Sequence, residues 1–165
     1  MQALSKFVSL ALELGALEAV LAPLSKLVID YRFYLKCRFG CPHWNKYWTC
    51  PSAPDFPKPW EFKGILDSYT IFLAIRTSSD GDSQRVSYEV ERAAQKDGLL
   101  LAFSISNCAV LCNYECTYPN FPCRYPEKAR PSPSALCIDV SKTAHNLSMK
   151  FEFNSNDWYS YVFLI

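Results

Sequence analysis

Hydrophobic and polar positions recur along this chain with two periods, and the periods mark its elements. Leu4, Val8, Ala11 and Leu14, with Phe7 and Leu10, repeat every three to four residues and predict an amphipathic helix over 4–15, closed near Gly15. Short apolar runs predict strands at "LEAVLA" (17–22) and "KLVID" (26–30), the second extended by "YRFYLKC" (31–37). "WEFKGILDSY" (60–69) reads as a helix, "TIFLAIRT" (70–77) as a buried strand and "SSDGDS" (78–83) as a turn. In "QRVSYEVERAAQKDG" (84–98), Val86, Val90 and Ala93 or Ala94 share one helical face, and Gly98 can stop the helix. "LLLAFSIS" (99–106) is the next strand, and "SALCIDVSKTAHNL" (134–147) a helix capped by Ser132 or Ser134. "MKFEF" (149–153) and "WYSYVFLI" (158–165) read as a closing strand pair around the turn "NSND" (154–157).

Strands alternating with helices predict an α/β (or α+β) fold, a single layered domain over 1–165. Its sheet is expected to be mixed, partly parallel with a C-terminal strand pair, and flanked by helices. Two segments carry neither period, 37–59 and 107–133. Both follow predicted strands. If those strands are parallel, both segments lie beyond the carboxyl ends of the sheet, where such folds place ligands.

Composition sharpens this picture at one point. A chain of 165 residues with 50% hydrophobic content can bury a real core, roughly 70% of its unfolded surface. Disulfide staples are therefore not required, yet there are 8 cysteines. The net charge of +1 gives no global pull toward nucleic acid or membrane. Glu13, Glu18 and Lys26 interrupt the apolar N-terminal stretch, which lacks the basic start and cleavage site of a secretion signal and is too short to span a bilayer. A cytoplasmic location is expected. In that reducing compartment clustered thiols point to metal or redox chemistry.

The thiols fall into two groups. Cys37, Cys41 and Cys50 lie in "CRFGCPHWNKYWTCPSAP" with spacing C-x3-C-x8-C. Cys108, Cys112, Cys116 and Cys123 follow C-x3-C-x3-C-x6-C. Four thiolates on one irregular loop can surround a tetrahedral zinc or an iron–sulfur cluster. Zinc sites usually come as two short knuckles; three close ligands and a fourth after six residues resemble iron–sulfur loops more. A 4Fe–4S cluster on Cys108, Cys112, Cys116 and Cys123 is the first expectation, zinc the alternative. The first group lacks a fourth thiol of its own; His43, Asp55, Cys137 or nothing could complete it, or it could share a thiol of the second loop. Arg32, Lys36, Arg38 and Lys46 surround it without an acidic residue and would offset thiolate charge. Left open, it would suit substrate binding at iron or a zinc-bound water.

Other residues are weaker candidates. Trp44, Tyr47 and Trp48 are expected to shield the first loop, and Arg130 to form a structural ion pair. Lys128 reads as part of a polar surface turn, His43 as packing, and His145 as solvated. "TSSDGDS" lacks the spacing of a calcium loop, and "NLS" at 146–148 is a nominal glycosylation sequon. G-x-G-x-x-G, the P-loop, G-x-S-x-G and H-E-x-x-H are all absent. Metal binding is the only visible chemistry.

"LKCRFGCPHWNKYWTCPSAP", "CTYPNFPCRYPEKARPS" and "IDVSKTAHN" together resemble the uncharacterised predicted metal-binding protein family, domain of unknown function 2284, of archaea and anaerobic bacteria. The resemblance runs over nearly the whole chain and is specific in the cysteine loops. It implies metal binding through Cys37, Cys41 and Cys50 and through Cys108, Cys112, Cys116 and Cys123, as an iron–sulfur protein with no settled activity. It also implies glycine where Cys137 stands, histidine where Tyr125 stands and tighter spacing around Cys112. The expected role is electron transfer or redox support, with a redox protein or metabolic enzyme as partner. A zinc-stabilised binding module and an enzyme with an open site at the first loop are the alternatives.

Overall fold

The computed structural model describes residues 2–165. Four strands form one sheet: β1 (Glu18–Pro23), β2 (Ile71–Thr77), β3 (Phe103–Ile105) and β4 (Trp158–Phe163). Five α-helices accompany them: α1 (Ser5–Glu13), α2 (Phe33–Gly40), α3 (Pro59–Leu66), α4 (Asp80–Lys96) and α5 (Val140–Asn146). The spatial order is β1-β2-β4-β3, and every ladder is antiparallel.

The layered α/β architecture is as expected, but the sheet is not mixed. β2 and β3 do run in the same direction, joined by α4 as a parallel unit would be. β4 has slipped between them and pairs antiparallel with both. The reason lies in its side chains. Tyr159, Tyr161 and Phe163 face one core while Val162 and Leu164 face the other, so the strand is apolar on both faces and belongs at the centre. "MKFEF" cannot partner it there and forms no strand, which removes the expected terminal pair.

Alternation along β2 builds the two cores. Phe72 and Ala74 pack with Phe62 and Leu66 of α3, Leu136, Ile138 and Ala144. Leu73 and Ile75 pack with Val86, Val90 and Ala94 of α4 and with Phe7 and Ala11 of α1. Helices thus cover both faces. α1 stops where Gly15 takes φ +102° and α4 where Gly98 takes φ +95°.

Three more readings change. Residues 31–37 are not strand: Tyr34, Cys37 and Cys41 repeat at helical spacing, and the segment forms α2. The preceding stretch keeps one antiparallel bridge, Ile29 to Ile138. The "SSDGDS" turn is mostly the first turn of α4, because the Ser79 hydroxyl accepts from the Asp82 N–H (3.1 Å) and donates to its carboxylate (2.8 Å). The predicted helix 134–147 breaks at Cys137, which takes φ +60°, into a 3₁₀ turn (Ser134–Leu136) and α5 capped by Asp139. Ser79→Ala removes the α4 cap and is expected to cost ~1 kcal/mol, about 2–4 °C in a thermal melt.

β2 and β3 end at the same edge of the sheet, where β4 begins. The second cysteine loop leaves from there, directly after Ile105. β1 ends at the opposite edge, so the first loop does not arrive as a strand extension. It is carried back by the 27–32 segment and α2, tied down where the Asp30 N–H donates to the Cys137 carbonyl and the Asp139 N–H to that of Val28.

Candidate metal centre

α2 places the first thiols. Cys37 sits on its inner face, with Sγ 3.6 Å from the Ser134 carbonyl, and Cys41 caps its end. Beyond it the chain turns at Asn45 (φ +62°) and winds to Cys50, whose sulfur accepts from the Ser52 hydroxyl at 2.9 Å. The second group begins on a 3₁₀ turn, Cys108–Cys112, capped by the Asn107 side chain. Left-handed Asn113 and Tyr114 reverse the chain so that Cys116 and Cys123 fold back.

The two loops are sewn together. The Tyr47 hydroxyl donates to the Tyr114 carbonyl (3.2 Å), Trp48 Nε1 to Thr117 Oγ1 (3.3 Å) and the Tyr118 hydroxyl to Asn45 Oδ1 (3.2 Å). Thr49 Oγ1 and Cys108 Sγ lie 3.1 Å apart. Trp48 and Tyr118 meet edge to face at 4.9 Å. These contacts make the thiol-bearing loops one unit rather than two flaps.

Two voids lie inside that unit. A tight one of about 10 Å³ is bordered by Cys108, Cys112, Cys116 and Cys123 and walled by Tyr47, Trp48, Leu111 and Tyr125. A larger cavity of about 270 Å³ is lined by Cys37, Cys41, Cys50 and Cys108, with His43, Trp44, Tyr47 and Trp158 around them. Cys108 and Tyr47 form the wall between the two. Burial pushes the Cys108 thiol up to about 11, with the thiols of Cys116, Cys123 and Cys112 adding to it and the Thr49 contact opposing. Burial, then Cys41 and Cys50, push Cys37 up as well. Burial raises the Tyr47 phenol too, and its next perturbers are Cys116, Cys108, Cys112 and Cys41, which places it between the groups. Metal binding to these thiols must displace protons at neutral pH.

Each sequence group borders a common void, and all eight thiols are free. The donors converge without closing. Among the described residues, no three His, Cys, Asp or Glu side chains stand close enough to hold a metal ion as they are. The donor chemistry nonetheless suits a thiophilic metal, with half-buried sulfur donors, hydroxyl groups hydrogen-bonded to sulfur and aromatic side chains around them.

Of the candidates for a fourth ligand to the first group, His43 lines the larger cavity, while Asp55 is exposed and absent from its wall. Cys137 is fully buried and lies outside both voids. Its thiol is pushed up to about 11, by burial first and then by Cys37. Arg130 forms the expected ion pair, 2.5 Å from Glu91. Lys128 and His145 are exposed. Sequence reasoning missed Thr49 and Ser52 as partners of sulfur, although "TCPS" sets a hydroxyl on either side of Cys50.

A family model described as "Predicted metal-binding protein", domain of unknown function 2284, matches residues 21–165. The chain belongs to this family. Searches of curated proteins and of solved structures find no match. The family description supports metal binding in general, and the matched region contains all eight cysteines. Among the described residues, no helix is long and apolar enough to cross a membrane.

Proposed function

We propose that the chain is an iron–sulfur protein with a redox or electron-transfer role, serving a partner protein or metabolic enzyme. The observation that carries this reading is the convergence of seven thiols from two interlocked loops on adjoining voids with Cys108 in the shared wall. An iron–sulfur cluster would supply reversible one-electron chemistry there, its potential set by burial and by hydrogen bonds to sulfur. The sequence points a 4Fe–4S cluster to Cys108, Cys112, Cys116 and Cys123; the volumes favour the other side. A void of about 10 Å³ admits one small atom, whereas about 270 Å³ leaves room for a multi-atom cluster. Cys37, Cys41 and Cys50 would hold it, with Cys108 within the same cavity wall.

The tight void favours a second reading for the second loop, a single zinc ion that orders it. Anaerobic purification with iron, sulfide and zinc analysis separates the two. A brown protein containing iron and sulfide, with a broad violet absorption that bleaches on reduction, is expected. A colourless protein with stoichiometric zinc overturns the cluster and leaves the structural module. The breadth of the larger cavity also admits an enzyme with an open metal position. That reading requires small molecules to perturb the spectrum, and it fails if none does.

A further inference from the structure

α2 is two-sided in an unusual way. On its inner stripe Cys37 and Cys41 line the thiol cavity, and Tyr34 packs edge to face on Trp44 and Trp60. Its outer stripe is Arg32, Leu35, Lys36 and Phe39, spaced i, i+3, i+4, i+7. The helix has no buried residue, and two large apolar side chains stand outward beside the two basic ones: Leu35 is 58% exposed and Phe39 79%. Tyr31 and Trp60 extend the patch, with ring centroids 6.5 Å apart and both rings exposed. Contiguous exposed apolar surface with a polar rim marks an interaction site.

The rim is mostly basic: Asp30 and Asp139 border Arg32, Leu35 and Lys36, but they are paired with Arg32 and Lys142. No acidic residue occurs between Asp30 and Asp55, while Arg32, Lys36, Arg38 and Lys46 all do. Arg32 is taken by Asp30 at 2.5 Å. Among the described residues no carboxylate lies within ion-pair distance of Lys36, Arg38 or Lys46. Lys36 and Arg38 rest instead over Phe33 and Phe39, with the cations 5.6 and 5.4 Å from the ring centroids. Arginine and aromatic residues of this kind are enriched in protein interfaces. Their uncompensated charge selects a partner of opposite sign.

We infer that the outer face of α2 docks an acidic redox protein, Phe39 and Leu35 forming the apolar centre and Lys36 and Arg38 the electrostatic rim. The inference rests on the redox reading of the thiol cavity. α2 then joins the partner to the centre over the width of one helix, because its inner face carries Cys37.

The test titrates the full-length, metal-loaded chain with a small acidic ferredoxin by calorimetry, recording absorbance and metal content of the same sample. Binding in the micromolar range is expected, weak as transient redox encounters are, and falling at least about tenfold between low and roughly 0.3 M salt. The paired variant Leu35→Ser/Phe39→Ser should lose binding about tenfold or more with metal content unchanged, and the charge variant Lys36→Glu/Arg38→Glu, compared at equal metal loading, by a similar factor. Leu101→Ser, exposed elsewhere, should bind as the wild type does. No binding at about 0.2 mM, or equal binding by the variants, overturns the inference. So does binding to phosphatidylserine vesicles in place of the ferredoxin, which would make the patch a membrane face. Because heat is the readout, a colourless zinc protein that still binds sinks the redox reading alone. A brown protein that does not bind sinks the docking surface alone.

Discussion

Glu91→Ala is expected to destabilise the protein by ~3–5 kcal/mol, measured as a lowered denaturant midpoint. Glu91 is 1% exposed and carries a negative charge on the inner face of α4. Both oxygens are used. Oε2 accepts from Arg130 Nε (2.9 Å), from the Ser104 N–H (2.6 Å) and from the Ser104 hydroxyl (2.7 Å). Oε1 accepts from Arg130 Nη2 at 2.5 Å. Removing the carboxylate leaves a guanidinium in the core, between the rings of Tyr88 and Phe103, with no counter-charge. It also leaves the buried N–H of Ser104, in the edge strand β3, unpaired. Glu91→Gln, which keeps an acceptor and the shape, should lose less. An exposed pair such as Lys63–Asp67 should cost no more than ~1 kcal/mol when broken. Equal losses at the two pairs would contradict this account.

The same pair matters for the thiols. Arg130 is on the return arm of the second loop, whose base is closed where the Ser106 N–H donates to the Pro131 carbonyl and Gln84 donates to that of Lys128. Loosening Glu91 should therefore weaken metal retention although no ligand has changed.

Cys123→Ser should lose most of the metal bound at the second loop while helices and sheet persist. Cys123 borders the tight void with Cys108, Cys112 and Cys116. Thiolate sites in small domains bind structural zinc with roughly 10–16 kcal/mol, so one lost donor of four is a large fraction of the holding energy. Elemental analysis and far-ultraviolet circular dichroism read the two effects separately. Cys50→Ser should lose metal from the larger cavity instead, and Cys137→Ala, outside both voids, should lose none. Full metal content in Cys123→Ser removes that residue from the ligand set. Loss in Cys137→Ala would require a different cage.

Much of this arrangement is legible in the residues. The helical repeat of Val86, Val90 and Ala94 and the apolar run Ile71–Ile75 of β2 specify local structure by themselves. The grouping of the cysteines follows from loops too rich in proline and cysteine to pack otherwise. What escaped is long-range. Nothing near Trp158 says that its strand enters the middle of the sheet, because a run buried on both faces reads alike at an edge or a centre. α2 escaped because eight residues with Phe, Tyr, Leu and Phe suit a strand by composition. Glu91 sits in a charged stretch, and only the fold reveals that Arg130, 39 residues on, meets it in the core.

The central position of β4 has a consequence for how the molecule is made. β3 touches the rest of the sheet only through β4. During synthesis the antiparallel pair of β1 and β2 can assemble before β4 is made, but the edge from which the second loop springs has no fixed place until β4 has left the ribosome. The second thiol loop is therefore made before the strand that fixes its base, and a metal held there would be bound only once β4 is in place.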